Sequence, residues 1–382
     1  MPELFPAPPA APPDADERRA LVALSLVPGV GAGRARALVA AFGTAAAVLA
    51  APAGRLVRVD GVGRATAEAV RAGADDRAVD DQFDRADRAG ARLVAFGDGE
   101  YPARLREIYD PPPFLWVLGR MTPDDDRAAA VVGTRKASDY GVRVAEAFGR
   151  GLAEGGATVV SGLAYGVDVA AHRATLAAGG RTVAVLGSGV DRIYPARHAP
   201  VAREIVGRDR GAVVSELPMG AKPDAPHFPR RNRIVSGMSV AVLVAEARAT
   251  GGALLTAAIA LEQNREVFAA PAPVFSDYEG TNRLVQRGYA ALALDAADVL
   301  AALDAVTPTP GRPAPASEPA PARADLSAVE RRLLDALSAE PRPLDAVCDA
   351  SGVDTSQALV YLLQLEFRGL VRQLAGKQFY RA

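Results

Sequence analysis

The chain has 382 residues, 49% hydrophobic and 23% charged, the balance of an ordinary globular protein,, and its length fits two or three domains. Its 44 basic and 45 acidic side chains leave a net charge of −1, so a polyanion partner would have to be met by a local patch and not by bulk charge,. Cys348 is the only cysteine and the three histidines lack i, i+4 spacing, which excludes an intramolecular disulfide, argues against a zinc site and points to a reducing compartment,.

Positions 1–16 read as a disordered proline/alanine tail,. Positions 17–80 read as a small helical domain carrying an internal repeat, Val27-Pro28-Gly29-Val30-Gly31 and Val59-Asp60-Gly61-Val62-Gly63. Each repeat reads as a helix-hairpin-helix turn whose free backbone N–H groups could hold a phosphate without reading sequence. A glycine-rich turn within a helical bundle fits the same letters, and no DNA-facing basic cluster stands out beyond Arg34, Arg36 and Arg64. Positions 81–306 read as an α/β domain behind a connector. The connector has a strand at Leu93 to Phe96, then Asp110 to Gly119, extended because its prolines exclude helix,. Trp116 reads as a core anchor.

Short apolar runs then alternate with helical periodicity, which predicts parallel crossovers and a doubly wound, extended Rossmann-like sheet. The runs are Ala128 to Val132, Thr158 to Val160, Thr182 to Leu186, Ala212 to Val214, Val240 to Val244 and Glu266 to Ala270. Helices are expected at Asp139 to Glu154, Leu255 to Glu262 and Thr281 to Gln286. Positions 307–325 read as a proline/alanine linker and 326–382 as a winged helix,. The third helix of that segment, from Thr355, has only Arg368 as a cation, few for a reader of the major groove,. No long apolar segment or signal peptide stands out, so a cytoplasmic protein with no membrane role is expected,.

Ligands of an open α/β sheet bind at its carboxyl edge, so the strand ends carry the functional expectation. Gly133-Thr134-Arg135-Lys136 precedes a helix start, where two cations and free N–H groups favour an anion, most simply a phosphate,. Gly133, Gly162 and Gly187 would let a backbone approach closely, and Arg135 supplies a forked phosphate donor,. Arg231 and Arg233 could extend the cationic surface, with pairing to Glu216 or Glu246 as the alternative, and Phe228 offers a flat face for a base,. Gly187-Ser188-Gly189-Val190-Asp191-Arg192 has Arg where a dinucleotide fingerprint needs its third Gly,. No Walker A run exists, and Ser161 has no evident His base. Catalytic residues, a metal and a cofactor are therefore not expected.

Gly133-Thr134-Arg135, Ser138 to Gly141, Ser161 to Asp168, Leu186 to Gly189 with Tyr194-Pro195, Phe228 to Ile234 and Gly252 to Ala257 together resemble the DprA (Smf) family of DNA-processing proteins. The resemblance covers nearly the whole chain and implies three parts: a helical SAM-like or helix-hairpin-helix domain, an extended Rossmann domain and a winged helix. It implies a cytoplasmic, non-enzymatic mediator that binds incoming single-stranded DNA in natural transformation, with repair as a further setting, and loads a RecA-type recombinase. It also implies a homodimer through the Rossmann domain, and leaves duplex contact by the hairpins or winged helix open.

On this resemblance Gly133 and Arg135 would grip phosphate and Phe228 would lie against a base. The candidate DNA-binding set is Gly133, Arg135, Lys136, Ser161, Gly162, Gly187, Lys222, Phe228, Arg231, Asn232 and Arg233. The family often has Lys three positions before the phenylalanine; Ala225 stands there, with Lys222 as the substitute. Ala270-Pro271-Ala272-Pro273 also departs from the usual Pro-Gly turn. The competing class is a nucleotide phosphoribohydrolase of the related Rossmann superfamily. Its motif is echoed at Thr250 to Thr256, but Ile259 occupies the position of its catalytic Glu.

Overall fold

A computed structural model describes residues 12–207, 209–307, 326–338, 341–368, 370–374 and 378–381. Most of the expected tail (1–16) and nearly all of the expected linker (307–325) lie outside the described residues. The chain divides into two compact units, Met1–Thr309 and Pro310–Ala382.

Six helices open the first unit: Ala15–Leu26, Ala32–Phe42, Ala45–Ala50, Ala53–Leu56, Arg64–Ala72 and Asp76–Ala89. Gly29 (φ 83°) and Gly61 (φ 74°) make the two hairpin turns, a left-handed backbone that a side chain disfavours,. Arg34 bridges the repeats, donating to the carbonyls of Gly61 (2.9 Å) and Gly29 (2.6 Å). The expected border at 80/81 falls inside helix Asp76–Ala89. Its charged sequence hides a stripe, Val79, Gln82 and Ala86, buried against the rest of the unit. Helices and sheet share one apolar cluster there, in which Trp116 meets Phe83 and Phe114 edge-on, each at 5.8 Å. Trp116 is a core anchor, 1% exposed.

The sheet has nine strands: β1 Ala91–Ala95, β2 Phe114–Gly119, β3 Ala128–Gly133, β4 Thr158–Ser161, β5 Thr182–Val185, β6 Gly211–Ser215, β7 Ala241–Glu246, β8 Glu266–Ala269 and β9 Ala291–Leu292. Their order is β1-β2-β6-β5-β4-β3-β7-β8-β9. Strands β3 to β9 pair in parallel, whereas β2 runs antiparallel to both β1 and β6. The central strands are buried throughout, as both faces of a parallel sheet must be covered,. Successive crossovers run outward from β3 through β4 and β5, then restart at β7 on the other side. The fold is therefore doubly wound, with its switch point between β3 and β7.

The second unit has helices Ala328–Asp335, Leu344–Ser351 and Thr355–Phe367 and a small sheet, β10 Arg342–Pro343, β11 Val371–Leu374 and β12 Gln378–Arg381. Leu333, Leu362, Leu365 and Phe379 fill its core. This is a winged helix.

His172, in helix Val167–Ala177, is buried. Thr182 Oγ1 donates to the Val159 carbonyl (2.6 Å), so it accepts from His172 Nδ1 (2.6 Å) and the ring is the neutral Nδ1–H tautomer,. Burial, reinforced by the Arg231 and His198 charges, lowers its pKa from 6.5 to about 3. The unfolded chain therefore takes up a proton that the native state refuses. Stability contributed by the neutral ring is complete above pH 6.5 and falls by roughly 1.4 kcal/mol per pH unit as pH drops towards 3,. Urea unfolding at a series of pH values should show this loss, with a shallower slope in His172→Gln.

Candidate functional site

A cleft of about 710 Å³ opens at the carboxyl ends of β3 and β7, the switch point of the sheet,. On one wall Phe228, in the first turn of helix His227–Gly237, carries the Arg135 guanidinium 4.6 Å above its ring centre,. Tyr194 stands 5.9 Å from the same ring at a tilt of 41°. Across the cleft lie Arg248, whose guanidinium covers Tyr278 at 5.5 Å, and the Gly251-Gly252 pair that starts helix Gly252–Glu262. A Cβ on either of these glycines would meet nothing within 4 Å, so that backbone is open. Asn232 lines the cleft, its amide nitrogen 3.5 Å from the Gly252 carbonyl.

The candidate residues separate into a surface set and a supporting set. Arg135 and Lys136 are exposed, and Phe228 is half-buried. Phe228 lies in the first turn of a helix, a position that Pro229 also suits,. Lys222 is exposed but does not line the cleft, where Pro223, Asp224 and Ala225 stand instead.

Arg233 is the structural arginine: it is buried, ion-paired to Asp110 (2.9 Å) and to Glu216. Burial raises the Glu216 pKa, and the Arg233 charge and hydrogen bond oppose that rise. Arg231 lines the cleft but is also largely buried, and donates to the Val185 carbonyl at 2.5 Å. Burial lowers its pKa to about 10, with Asp168 opposing. Asp168 is in turn raised by burial and held down by Arg231 and by N–H groups of Ala164 and Gly162. Ser161 is buried and donates to the Val131 carbonyl (2.6 Å), so its hydroxyl does not reach the cleft.

The three glycines make room for side chains of this chain. A Cβ would lie 2.4 Å from Val167 at Gly133, 1.7 Å from Arg231 at Gly162 and 2.8 Å from Phe228 at Gly187. The expected anion seat at the start of helix Asp139–Glu154 is filled as well. Glu246, at the end of β7, accepts from the Ser138 N–H (2.9 Å) and hydroxyl, and Gly141 leaves space for its carboxylate. A carboxylate at a helix start satisfies the N–H groups a phosphate would otherwise seek. Tyr194, Arg248 and the open Gly251-Gly252 backbone were not among the expected site residues. The glycine pair was the one signal for them, since nothing local marks a lone Tyr or Arg as lining a cleft.

The first hairpin faces the α/β domain: a Cβ at Gly31 would lie 2.6 Å from Arg230. Gly61 and Gly63 of the second have no such neighbour. Among the described residues no cluster of His, Cys, Asp or Glu could hold a metal ion, and no helix is long and apolar enough to cross a membrane.

The family model described as DNA recombination-mediator protein A matches residues 92–304. The chain belongs to the DprA family. Models for the DprA winged helix domain and for a SAM-like helix-hairpin-helix tandem match residues 317–377 and 22–76. Protein Smf of Escherichia coli is 39% identical over 72% of this chain and 74% of its own length. Protein Smf of Synechocystis is 36% identical over 74% and 78%. DNA processing protein A of Streptococcus pneumoniae superposes with a TM-score of 0.62 at 31% identity, covering 75% of this chain and 98% of that one. The Helicobacter pylori DNA processing protein A, described as having a unique single-stranded DNA binding mode, superposes at 0.50 with 27% identity, over 55% and 94%.

Within this DprA-family site, Gly162→Ala drives a methyl into the Arg231 guanidinium, which its bond to the Val185 carbonyl holds in place beside the Asp168 charge. Expelling the cation would leave Asp168 buried without its counter-charge, a loss of about 3–5 kcal/mol. Urea denaturation measures it; stability equal to the parent would mean that Arg231 can move aside.

Proposed function

We propose that the chain binds single-stranded DNA in the β3/β7 cleft and acts as a recombination mediator. The observation that carries this reading is the exposed Arg135 stacked on Phe228 at the mouth of an open cleft. A cation beside a π-face offers one nucleotide both a phosphate contact and a stacking surface. The contacting set is Arg135, Lys136, Phe228 and Asn232, joined by Tyr194 and Arg248. Arg231, Arg233, Ser161, Gly133, Gly162 and Gly187 shape that surface from below. The single-stranded DNA binding of the Helicobacter pylori relative supports the same assignment.

The role is non-catalytic. Ile259 stands where the phosphoribohydrolase motif has its acid, and Glu262 lines a different cavity, with Arg230 and Gln263. The bound strand would be passed to a RecA-type recombinase in transformation or repair, in the cytoplasm. Recombinase-loading assays on strands coated with this protein test that step. Any duplex contact by the helical domain falls to the second hairpin, since Arg230 covers the first.

Titration with labelled oligothymidylate tests the cleft. Phe228→Ala should weaken binding by roughly 1–3 kcal/mol, and Arg135→Ala should reduce the salt slope by about 0.7. A chain ending at Val306 should keep most of the affinity, because the winged helix is a separate unit with a cation-poor third helix. Unchanged binding in both point variants would remove the strand from this cleft.

The homodimer would form at the β9 end of the sheet. Leu294 (72%) is exposed just past the two-residue edge strand β9, and Val274 (78%) and Phe275 (104%) are exposed in the loop after β8. Exposed apolar side chains near an uncovered sheet edge suit a second copy. Sedimentation equilibrium should show Phe275→Glu shifted towards monomer; an unchanged assembly would move the interface elsewhere.

A further inference from the structure

We infer that a second groove, on the other side of Arg135 from Phe228, seats a further nucleotide of the same strand. This inference rests on the single-stranded DNA reading above. The groove has a volume of about 580 Å³ and is lined by Lys136, Tyr165, Arg173 and Arg197, with Arg135 common to it and the first cleft. A strand leaving the Phe228 seat past Arg135 therefore enters this groove.

Its chemistry repeats that of the first seat. Tyr165 is 37% exposed, and the Arg197 guanidinium lies 5.4 Å over its ring, as Arg135 lies over Phe228. The ring is held from behind by His198, edge-on at 5.1 Å, and His198 is itself fixed by Nδ1 donating to the Leu163 carbonyl (2.8 Å). Tyr165 is thus an exposed ring on a buried support, an arrangement that limits the side-chain entropy lost when a base stacks.

Charge points the same way. Arg135, Lys136, Arg173 and Arg197 are all exposed, and among the described residues none of them makes an ion pair. Four unneutralised cations around one groove, in a chain of net charge −1, form a local seat for a polyanion,. Binding of a flexible strand over two aromatic seats with a shared cation predicts a length dependence. Oligomers too short to reach Tyr165 use only the first seat.

The test is an anisotropy titration of the full chain with oligothymidylates of about 2 to 12 nucleotides, over several salt concentrations, comparing Tyr165→Ala, Arg173→Gln and Arg197→Gln. All three side chains are exposed, and thermal unfolding checks that each variant is folded. The expected result is parental affinity for the shortest oligomers that bind. For the longer ones, Tyr165→Ala should lose roughly 10-fold and each arginine variant about 0.7 of salt slope. If the parent binds and Phe228→Ala weakens it, but these three variants match the parent at every length, the second seat is wrong and the first stands. If the parent binds no single strand at all, both readings fall. Equal weakening of the shortest and longest oligomers would merge the groove with the first seat and also overturn the inference.

Discussion

The buried guanidinium of Arg231 is the interaction on which the site depends. It lies under Gly162 after β4, donates to the carbonyl of Val185 at the end of β5, and offsets the Asp168 charge on the following helix. The ends of two neighbouring strands, β4 and β5, are thereby tied to helix His227–Gly237. Phe228 sits one turn earlier on that helix, so its ring reaches the cleft at a height set by Arg231. Burying a charge is costly unless its partners are well placed, which is why Gly162 and Asp168 must be what they are. The cation three residues after Phe228 thus acts as a strut, and the one that stacks on the ring, Arg135, comes from another strand end, after β3.

The same edge explains why this fold does not read as a dinucleotide site. In that class the first helix start is left open to a pyrophosphate. Here Glu246 reaches over from β7 and takes the N–H and hydroxyl of Ser138 itself. With the anion seat filled from within, the cations beside it are displaced outward. Arg135 and Lys136 face solvent in place of a cofactor pocket, and the open helix start is the later one, at Gly251-Gly252. Placing the free cations on the rim suits a ligand that passes across the edge.

Much of the architecture was legible because it follows from local pattern. The alternation of short apolar runs with helical periodicity marks β3 to β8, and the glycine hairpins mark the repeat near the amino terminus. Helix Asp76–Ala89 was hidden, since nine of its fourteen residues are charged or Gln and its stripe is short. At the candidate site, residue types pointed to the sheet edge where the cleft lies but not to how each side chain packs there. Gly133, Gly162 and Gly187 looked like points of approach for a ligand and are points of approach for Val167, Arg231 and Phe228. A missing side chain says that something comes close; only tertiary contacts say what. Arg231 and Arg233 were likewise indistinguishable from surface cations until their partners across the sheet, Val185 and Glu216, were in view.

The distribution of charge settles how such a molecule can hold a polyanion while its net charge is near zero. Several arginines in the first unit are paired internally, as in Arg127 with Asp304 (2.7 Å) and Arg181 with Asp125 (2.9 Å). Pairs of this kind contribute no field beyond a Debye length, about 8 Å at physiological salt. Among the described residues the cations around Arg135 make no ion pair, while Asp168 is buried beside the Arg231 charge and Glu246 caps a helix. Binding at this rim therefore draws on few phosphates at a time. On the single-strand reading proposed above, affinity would rise with each stacked base as well as with each neutralised charge.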